Sequence, residues 1–266
     1  MMGWLKWKGQ LMPKFLILEK TPSPIRAERV TSVLEMPNNT PIIYQTNGYK
    51  TVPININLGF RPGVFDRNFF NTYGGTDFAN DSEITALSKD EILNIQFDST
   101  YNWLQSAGTL TFSNDDDKYW NAVCNSQIVP ERMSRRLRRL PVQFTCMPFR
   151  YALENEVEEV TLRSYSAESY DGNIPYEGTE PSEPTIKVTG SGEIGIYWGG
   201  NFVKLLNVTN FATIDVPTRR VYDSEGHVIL NAVSGDITKL RVIDGMHVII
   251  DKTCTKLEVK KNTRWR

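Results

Sequence analysis

Hydrophobic and polar residues alternate along much of the chain with the two-residue period of half-buried β-strands. The clearest case is the run LPVQFTCMPF, in which Leu140, Val142, Phe144 and Cys146 share one face. Similar short runs recur between clusters of Gly, Asn, Asp and Pro, which predicts antiparallel strands arranged in sandwiches. The further predicted strands are residues 110–112, 186–188, 194–198, 228–230, 246–250 and 257–259.

One helical pattern stands out among the strands. Ser88 and Glu91 have the spacing of a capping box, apolar residues between Ile92 and Leu104 fall near one face, and Gly108 offers a stop. A shorter amphipathic pattern predicts a second helix of about two turns over residues 131–140. Together these elements predict a mainly β protein whose first half is an α+β domain with one credible helix.

The segment from Arg61 to Asp81 has aromatic side chains among Gly and Asn residues. This composition suits a long surface loop or a protruding hairpin. Aromatic side chains exposed there would need a partner.

The distribution of charge indicates a domain boundary. Residues 154–184 contain nine carboxylates and one arginine, whereas residues 252–266 have a net charge of +5. Three prolines near the end of the acidic segment also resist regular structure. We therefore expect a first domain over residues 1–160, a β-sandwich over 161–257, and a return of residues 258–266 to complete the first domain.

Composition narrows the functional classes. The 266 residues suffice for about two domains, and 30 basic against 31 acidic side chains leave a net charge of -1. Such a chain has no overall field that would attract nucleic acid or a membrane. Its three cysteines are widely spaced, as expected of free thiols in a reducing cytosol, and no early apolar run is long enough for a membrane span.

Motifs for catalysis or cofactor binding are weak. The G-x-G-x-x-G match at residues 190–195 precedes an alternating strand pattern, so a hairpin turn explains it better than a dinucleotide site. The run at residues 114–118 lacks the glycine and distal glutamate of a calcium loop, and His227 and His247 have no second ligand at zinc spacing. The acidic segment could supply a glycosidase's carboxylate pair, although an ion-paired surface suits its composition better. We expect no enzyme activity, no catalytic residue, no cofactor and no metal.

Four phrases, taken in order, resemble the distal tail proteins of long-tailed phages that infect Gram-positive bacteria. They are YNWLQSAGTLTFSNDDDKYWNAV, PVQFTCMPFRY, IPYEGTEPSEPTIKVTGSGEIGIYWGG and KLEVKKNTRWR. The resemblance covers most of the chain, although the first 80 residues match only loosely.

This resemblance implies a structural virion protein of the baseplate or tail-tip hub. Its expected form is a homohexameric ring joined by the first domains, with a galectin-like sandwich projecting outward and the last residues packing on the first domain. The implied partners are further copies of the chain, the tail tube protein, and tail-associated, tail-fibre or receptor-binding proteins, without sequence-specific nucleic acid or membrane binding. The implied location is the virion tail tip, after synthesis in the host cytoplasm.

Two sets of residues are candidates for contact. The alternative function, a carbohydrate-binding adhesin that contacts cell-wall glycans, would use Tyr197 and Trp198. The residues expected at subunit interfaces are Phe65, Phe69, Phe70, Tyr73, Phe78, Trp103, Arg132, Arg135, Arg136 and Arg139.

Overall fold

The computed structural model describes residues 3–23, 25–34, 42–61, 63–124, 131–132, 138–229 and 232–266, without the side chains of 32–34, 42–47, 131–132 and 138. The chain divides into two compact units, Met1–Arg150 and Tyr151–Arg266, each with its own hydrophobic core. The division falls somewhat before the boundary at residue 160 that the charge distribution predicts. The expectation that residues 258–266 complete the first domain stays a prediction.

The first unit combines strands with helices. Its helices are α1 (Arg67–Tyr73), α2 (Asp81–Thr85) and α3 (Lys89–Leu104). Its strands are β1 (Leu5–Trp7), β2 (Gln10–Leu11), β3 (Leu16–Leu18), β4 (Arg29–Leu34), β5 (Ile42–Tyr49), β6 (Val52–Phe60), β7 (Ala107–Phe112), β8 (Asp115–Cys124), β9 (Glu131–Arg132) and β10 (Arg138–Ala152), the last of which ends in the second unit.

The main sheet of this unit has the order β2-β1-β7-β8-β10-β6-β3, and β9 also pairs with β10. The predicted alternation in β10 is confirmed, because Leu140, Val142, Phe144 and Cys146 are all buried. These side chains share one core with apolar residues of the three helices. Strands β4 and β5 form a separate two-stranded sheet.

The predicted capping box of α3 is confirmed. The Ser88 hydroxyl accepts a hydrogen bond from the Glu91 backbone N–H at 3.3 Å, and the Glu91 carboxylate accepts one from the Ser88 backbone N–H at 2.8 Å. The helix ends at Leu104, and Gly108 lies in β7 instead of acting as the stop.

Two further sequence-based assignments in the first unit were wrong. The segment from Arg61 to Asp81 is not a loop or hairpin throughout, because Asp66 caps α1 through the Phe69 N–H. The helix expected over residues 131–140 is contradicted at both of its ends, where Glu131 pairs with Arg139 as antiparallel β-structure. Arg139 and Leu140 also pair with Gly59 and Leu58 of β6, so cross-strand pairing outweighs the helical pattern there.

The second unit is an antiparallel β-sandwich. Its strands are β11 (Val157–Glu159), β12 (Arg163–Ser164), β13 (Ser169–Ile174), β14 (Thr185–Gly190), β15 (Gly192–Trp198), β16 (Asn201–Val208), β17 (Phe211–Asp215), β18 (Arg220–Tyr222), β19 (Val233–Gly235), β20 (Met246–Asp251) and β21 (Cys254–Lys260). They form two sheets with the orders β11-β21-β14-β17-β18 and β12-β13-β20-β15-β16-β19, and one hydrophobic core contains residues from both. The short strand β22 (Arg264–Trp265) belongs to neither of these sheets. Residues 228–230 were expected to form a strand, but Val228 makes only an isolated bridge to Tyr222, and Leu230 lies outside the described residues.

The glycine-rich motif at residues 190–195 lies at the connection between β14 and β15, and no helix starts there. The structure therefore agrees with rejecting a dinucleotide site. The motif is not a β-hairpin either, because β14 and β15 belong to different sheets.

Candidate assembly surfaces

An apolar groove of about 570 Å³ lies on the first unit, where β7, β8 and β10 run side by side. Small residues such as Ala107, Gly108 and Ala122 line it, and Val123 and Met147 expose 40% and 53% of their surface beside them. An apolar depression on a sheet is the type of surface that proteins use for contact with partners. Sequence reasoning missed this groove, because its residues come from distant strands.

The groove is unsuited to thiol chemistry. Cys146 lines it, but burial raises the pKa of the Cys146 thiol to about 12. A thiol with this pKa stays protonated near neutral pH and is a poor nucleophile. The groove therefore offers a binding surface.

The predicted aromatic contact surface is largely part of the core. Phe69, Phe70 and Trp103 are buried, so the expectation that they form an exposed interface was wrong. Phe69 packs edge-on against the Trp103 ring at 5.7 Å, because the capped helix α1 turns its aromatic side towards α3. The remaining aromatic candidates, Phe65, Tyr73 and Phe78, are partly buried against the same core.

The arginine candidates are only partly described. Arg139 makes a two-pronged ion pair with Glu19, with nitrogen–oxygen distances of 2.8 and 2.7 Å. This ion pair engages the Arg139 side chain within the first unit. Arg132 lies in β9, but its side chain lies outside the described part of the structure, as do Arg135 and Arg136 entirely.

The two aromatic candidates in β15 face opposite sides of the sheet. Tyr197 is exposed, whereas Trp198 is fully buried and its indole N–H donates to the Arg241 carbonyl at 2.8 Å. Trp198 therefore cannot contact a glycan, and its assignment as a sugar-stacking residue was wrong. Phe202, which sequence reasoning missed, lies beside Tyr197 with ring centroids 4.5 Å apart.

The acidic segment and the basic C-terminal segment meet within the second unit. Lys261 contacts Glu158 at 2.6 Å, Lys256 contacts Glu159 at 3.3 Å, and Arg266 contacts Glu180 at 3.6 Å. These ion pairs confirm the electrostatic complementarity that the sequence predicted.

Groups suited to catalysis or metal binding do not stand out in the described part of the chain. Its His, Cys, Asp and Glu side chains form no cluster of three or more that could hold a metal ion. Residues 115–118 of the acidic run lie in β8, where Lys118 pairs with Asp115 and Asp117 at 3.1 and 2.7 Å. Among the described residues, no helix has both the length and the apolar character needed to cross a membrane.

No family model matches this chain, and no curated protein matches its sequence at a significant level. Comparison with solved structures gives a match over both units. The crystal structure of SPP1 Dit (gp 19.1), a paradigm of the hub adsorption apparatus in phages that infect Gram-positive bacteria, aligns with a TM-score of 0.69. The alignment covers 97% of this chain and 98% of that chain at 11% sequence identity. The chain has the fold of SPP1 Dit. This is the same class of phage protein that the four sequence phrases resemble.

Proposed function

We propose that the chain is a structural component of a phage tail tip, forming a hexameric ring that links the tail tube to the host-adsorption apparatus. The observation that carries this proposal is the similarity to SPP1 Dit over 97% of the chain. Similarity over both units favours a shared role more strongly than similarity over one sandwich alone, since β-sandwiches serve many unrelated functions.

The first unit supplies the contact between copies in this proposal. The strands at the ends of its main sheet, β2 and β3, have only two and three residues, so edge pairing offers few hydrogen bonds. The apolar groove beside Met147 is better suited to a lasting contact, because burying apolar surface drives association. A net charge of -1 opposes self-association very little.

Strands β4 and β5 offer a second contact. An isolated two-stranded hairpin is only marginally stable in water, so a hairpin with its own sheet benefits from a neighbour. Its base is held by the Tyr49 and Phe149 rings, whose centroids lie 5.2 Å apart. We propose that these two strands contact another copy or the tail tube protein, and that Phe65, Tyr73, Phe78 and the arginine segment also take part in such contacts.

The mass of the purified chain in solution tests the ring. Six copies of the 30.4 kDa chain give a particle of about 182 kDa with closed symmetry. Multi-angle light scattering on a concentration series, followed by negative-stain imaging, is expected to show a closed six-membered particle. A species that remains monomeric at the highest concentrations would contradict self-assembly of the isolated chain.

Location and partners need a separate test. If the chain is a tail-tip component, antibodies against it will label the distal end of tails on purified virions. Cross-linking of those virions is expected to join it to the tail tube protein and to a receptor-binding protein. Labelling confined to capsids, or its absence from virions, would contradict the proposed location.

A further inference from the structure

Two exposed aromatic rings lie side by side on the outer face of the six-stranded sheet. Tyr197 in β15 and Phe202 in β16 are direct cross-strand partners and are 50% and 45% exposed. They face each other because Gly199 and Gly200, with φ of +52° and +87°, close the hairpin with a two-residue turn. The ring planes are inclined at 42°.

An aliphatic side chain and a polar pair continue this row across the sheet. Tyr197 is opposite Ile249 in β20, and Ile249 is opposite Asp171 in β13. At a strand spacing of about 4.8 Å, Asp171 lies roughly 10 Å from Tyr197. The Asp171 carboxylate is 3.3 Å from the Nε2 atom of His247, which is also exposed. We call Tyr197, Phe202 and Ile249 the aromatic platform.

Charged groups border the other side of the aromatic platform. The Asp251 carboxylate accepts a hydrogen bond of 2.6 Å from the Gly195 N–H, and Lys204 forms an ion pair with Glu193. A Cβ atom at Gly195 would lie 3.1 Å from the Phe202 ring and 2.8 Å from the Asp251 carboxylate. The glycine therefore leaves open the surface between the ring and the carboxylate.

The size of the platform indicates the size of its ligand. A fully buried aromatic side chain covers 150–250 Å², so two half-exposed rings offer about 200 Å². A stable protein interface buries about 800 Å² on each partner, which is several times more. A flat apolar centre of this area, with carboxylates and an imidazole at its border, suits a ligand of one or two rings that carries many hydroxyls.

We propose that the aromatic platform binds an uncharged saccharide. The C–H face of a sugar ring packs on Tyr197 and Phe202, while its hydroxyls donate to the carboxylates of Asp171 and Asp251. The ligand is uncharged because the charges on this face nearly balance: Glu193 pairs with Lys204, and Arg163 lies directly opposite Asp171 in the neighbouring strand. The proposal goes beyond the ring, since the platform lies within the second unit of one copy.

Saturation-transfer NMR on the full chain, with maltose, cellobiose, lactose and chitobiose as probes, tests this site. We expect millimolar binding of at least one disaccharide. Tyr197→Ala and Phe202→Ala are each expected to weaken it at least about tenfold, which corresponds to about 1.4 kcal/mol. Tyr101→Ala, which removes an exposed tyrosine of α3 in the first unit, serves as the matched control and is expected to bind like the wild type.

Three results would overturn the saccharide site. They are no transfer to any probe from the wild type, transfer that survives both platform substitutions, and equal loss in the Tyr101→Ala control. If Phe202→Ala instead changes the solution mass, the platform is a contact between copies and the saccharide proposal fails. Because the wild-type mass tests the ring separately, failure of one proposal is distinguishable from failure of the other.

Discussion

Neighbouring residues in one strand can have opposite roles, and Tyr197 and Trp198 show this most clearly. Trp198 fills the core of the second unit, whereas Tyr197 packs mainly on Phe202 at the surface. We expect Trp198→Ala to lower the free energy of unfolding by about 3–5 kcal/mol, because it leaves a large cavity. Tyr197→Ala, as an exposed substitution, is expected to change it by about 0.5 kcal/mol or less. Urea unfolding of both variants gives this comparison, and similar losses would contradict the assigned orientations.

Burial also leads us to expect different reactivities of the three cysteines towards a disulfide reagent. Desolvation raises the pKa of Cys146 to about 12 and that of Cys254 to about 11, whereas Cys124 is only half-buried. At pH 8 we expect a disulfide reagent such as DTNB to modify at most Cys124 in the folded chain and all three thiols after unfolding. A Cys124→Ser variant should then show no rapid modification when folded. Rapid reaction of that variant would contradict the burial of the other two thiols.

At the scale of elements, the capping box stabilises α3 against fraying at its first turn. Ser88→Ala removes the N-cap acceptor, and we expect a loss of about 1 kcal/mol in the free energy of unfolding, measured by thermal and urea denaturation. Ser82→Ala in α2 is a suitable control, because this exposed serine is not an N-cap. An equal effect of the two substitutions would contradict a specific capping role.

The capping box also predicts that the contribution of Ser88 to the free energy of unfolding depends on pH. Hydrogen bonds from the Ser88 hydroxyl and backbone N–H lower the pKa of Glu91 below its usual 4.5. Because the pKa of Glu91 is lower in the folded than in the unfolded state, its hydrogen-bonded carboxylate stabilises the fold at pH values above the unfolded-state pKa. This stabilisation is lost as the pH falls through the folded-state pKa. The stability difference between wild type and Ser88→Ala is therefore expected to shrink in acid below about pH 4.5. Urea titrations at pH 7 and in this acid range measure it, and a constant difference would contradict the linkage.

The C-terminal segment is attached to the second unit through Tyr176. Its hydroxyl donates to the Glu180 carbonyl at 2.5 Å and accepts from the Arg264 N–H at 3.3 Å, and desolvation raises its pKa. Tyr176→Phe removes both hydrogen bonds of this buried hydroxyl, so we expect a loss of about 1–3 kcal/mol in urea unfolding. The exposed Tyr165→Phe substitution is the matched control. Equal stability of the two variants would contradict a structural role for this hydroxyl.

Elements with a strong local signal were predictable from sequence. Elements whose residues fit two different secondary-structure patterns were not. The capping box of Ser88 and the alternation in β10 each require only one segment to be read correctly. In sequence, the aromatic residues of α1 have the pattern of an exposed contact loop. Their burial was not predictable, because it depends on Phe15 and Trp103 from distant parts of the chain. The groove and the pairing of Tyr197 with Phe202 likewise arise only when separate strands come together.

At the scale of the whole molecule, a substitution in the apolar groove tests whether this groove forms the contact between copies. Met147→Glu places a charge on its exposed apolar side chain, and burying an unpaired charge in a contact between copies is strongly unfavourable. If the groove joins the proposed ring, this variant should remain folded by circular dichroism yet shift from about 182 kDa towards the 30.4 kDa single chain in light scattering. The same substitution at the exposed Tyr165 of the second unit should leave the mass unchanged. A Met147→Glu variant that keeps the wild-type ring would place the contact elsewhere, and the β4–β5 hairpin would then be the next surface to change.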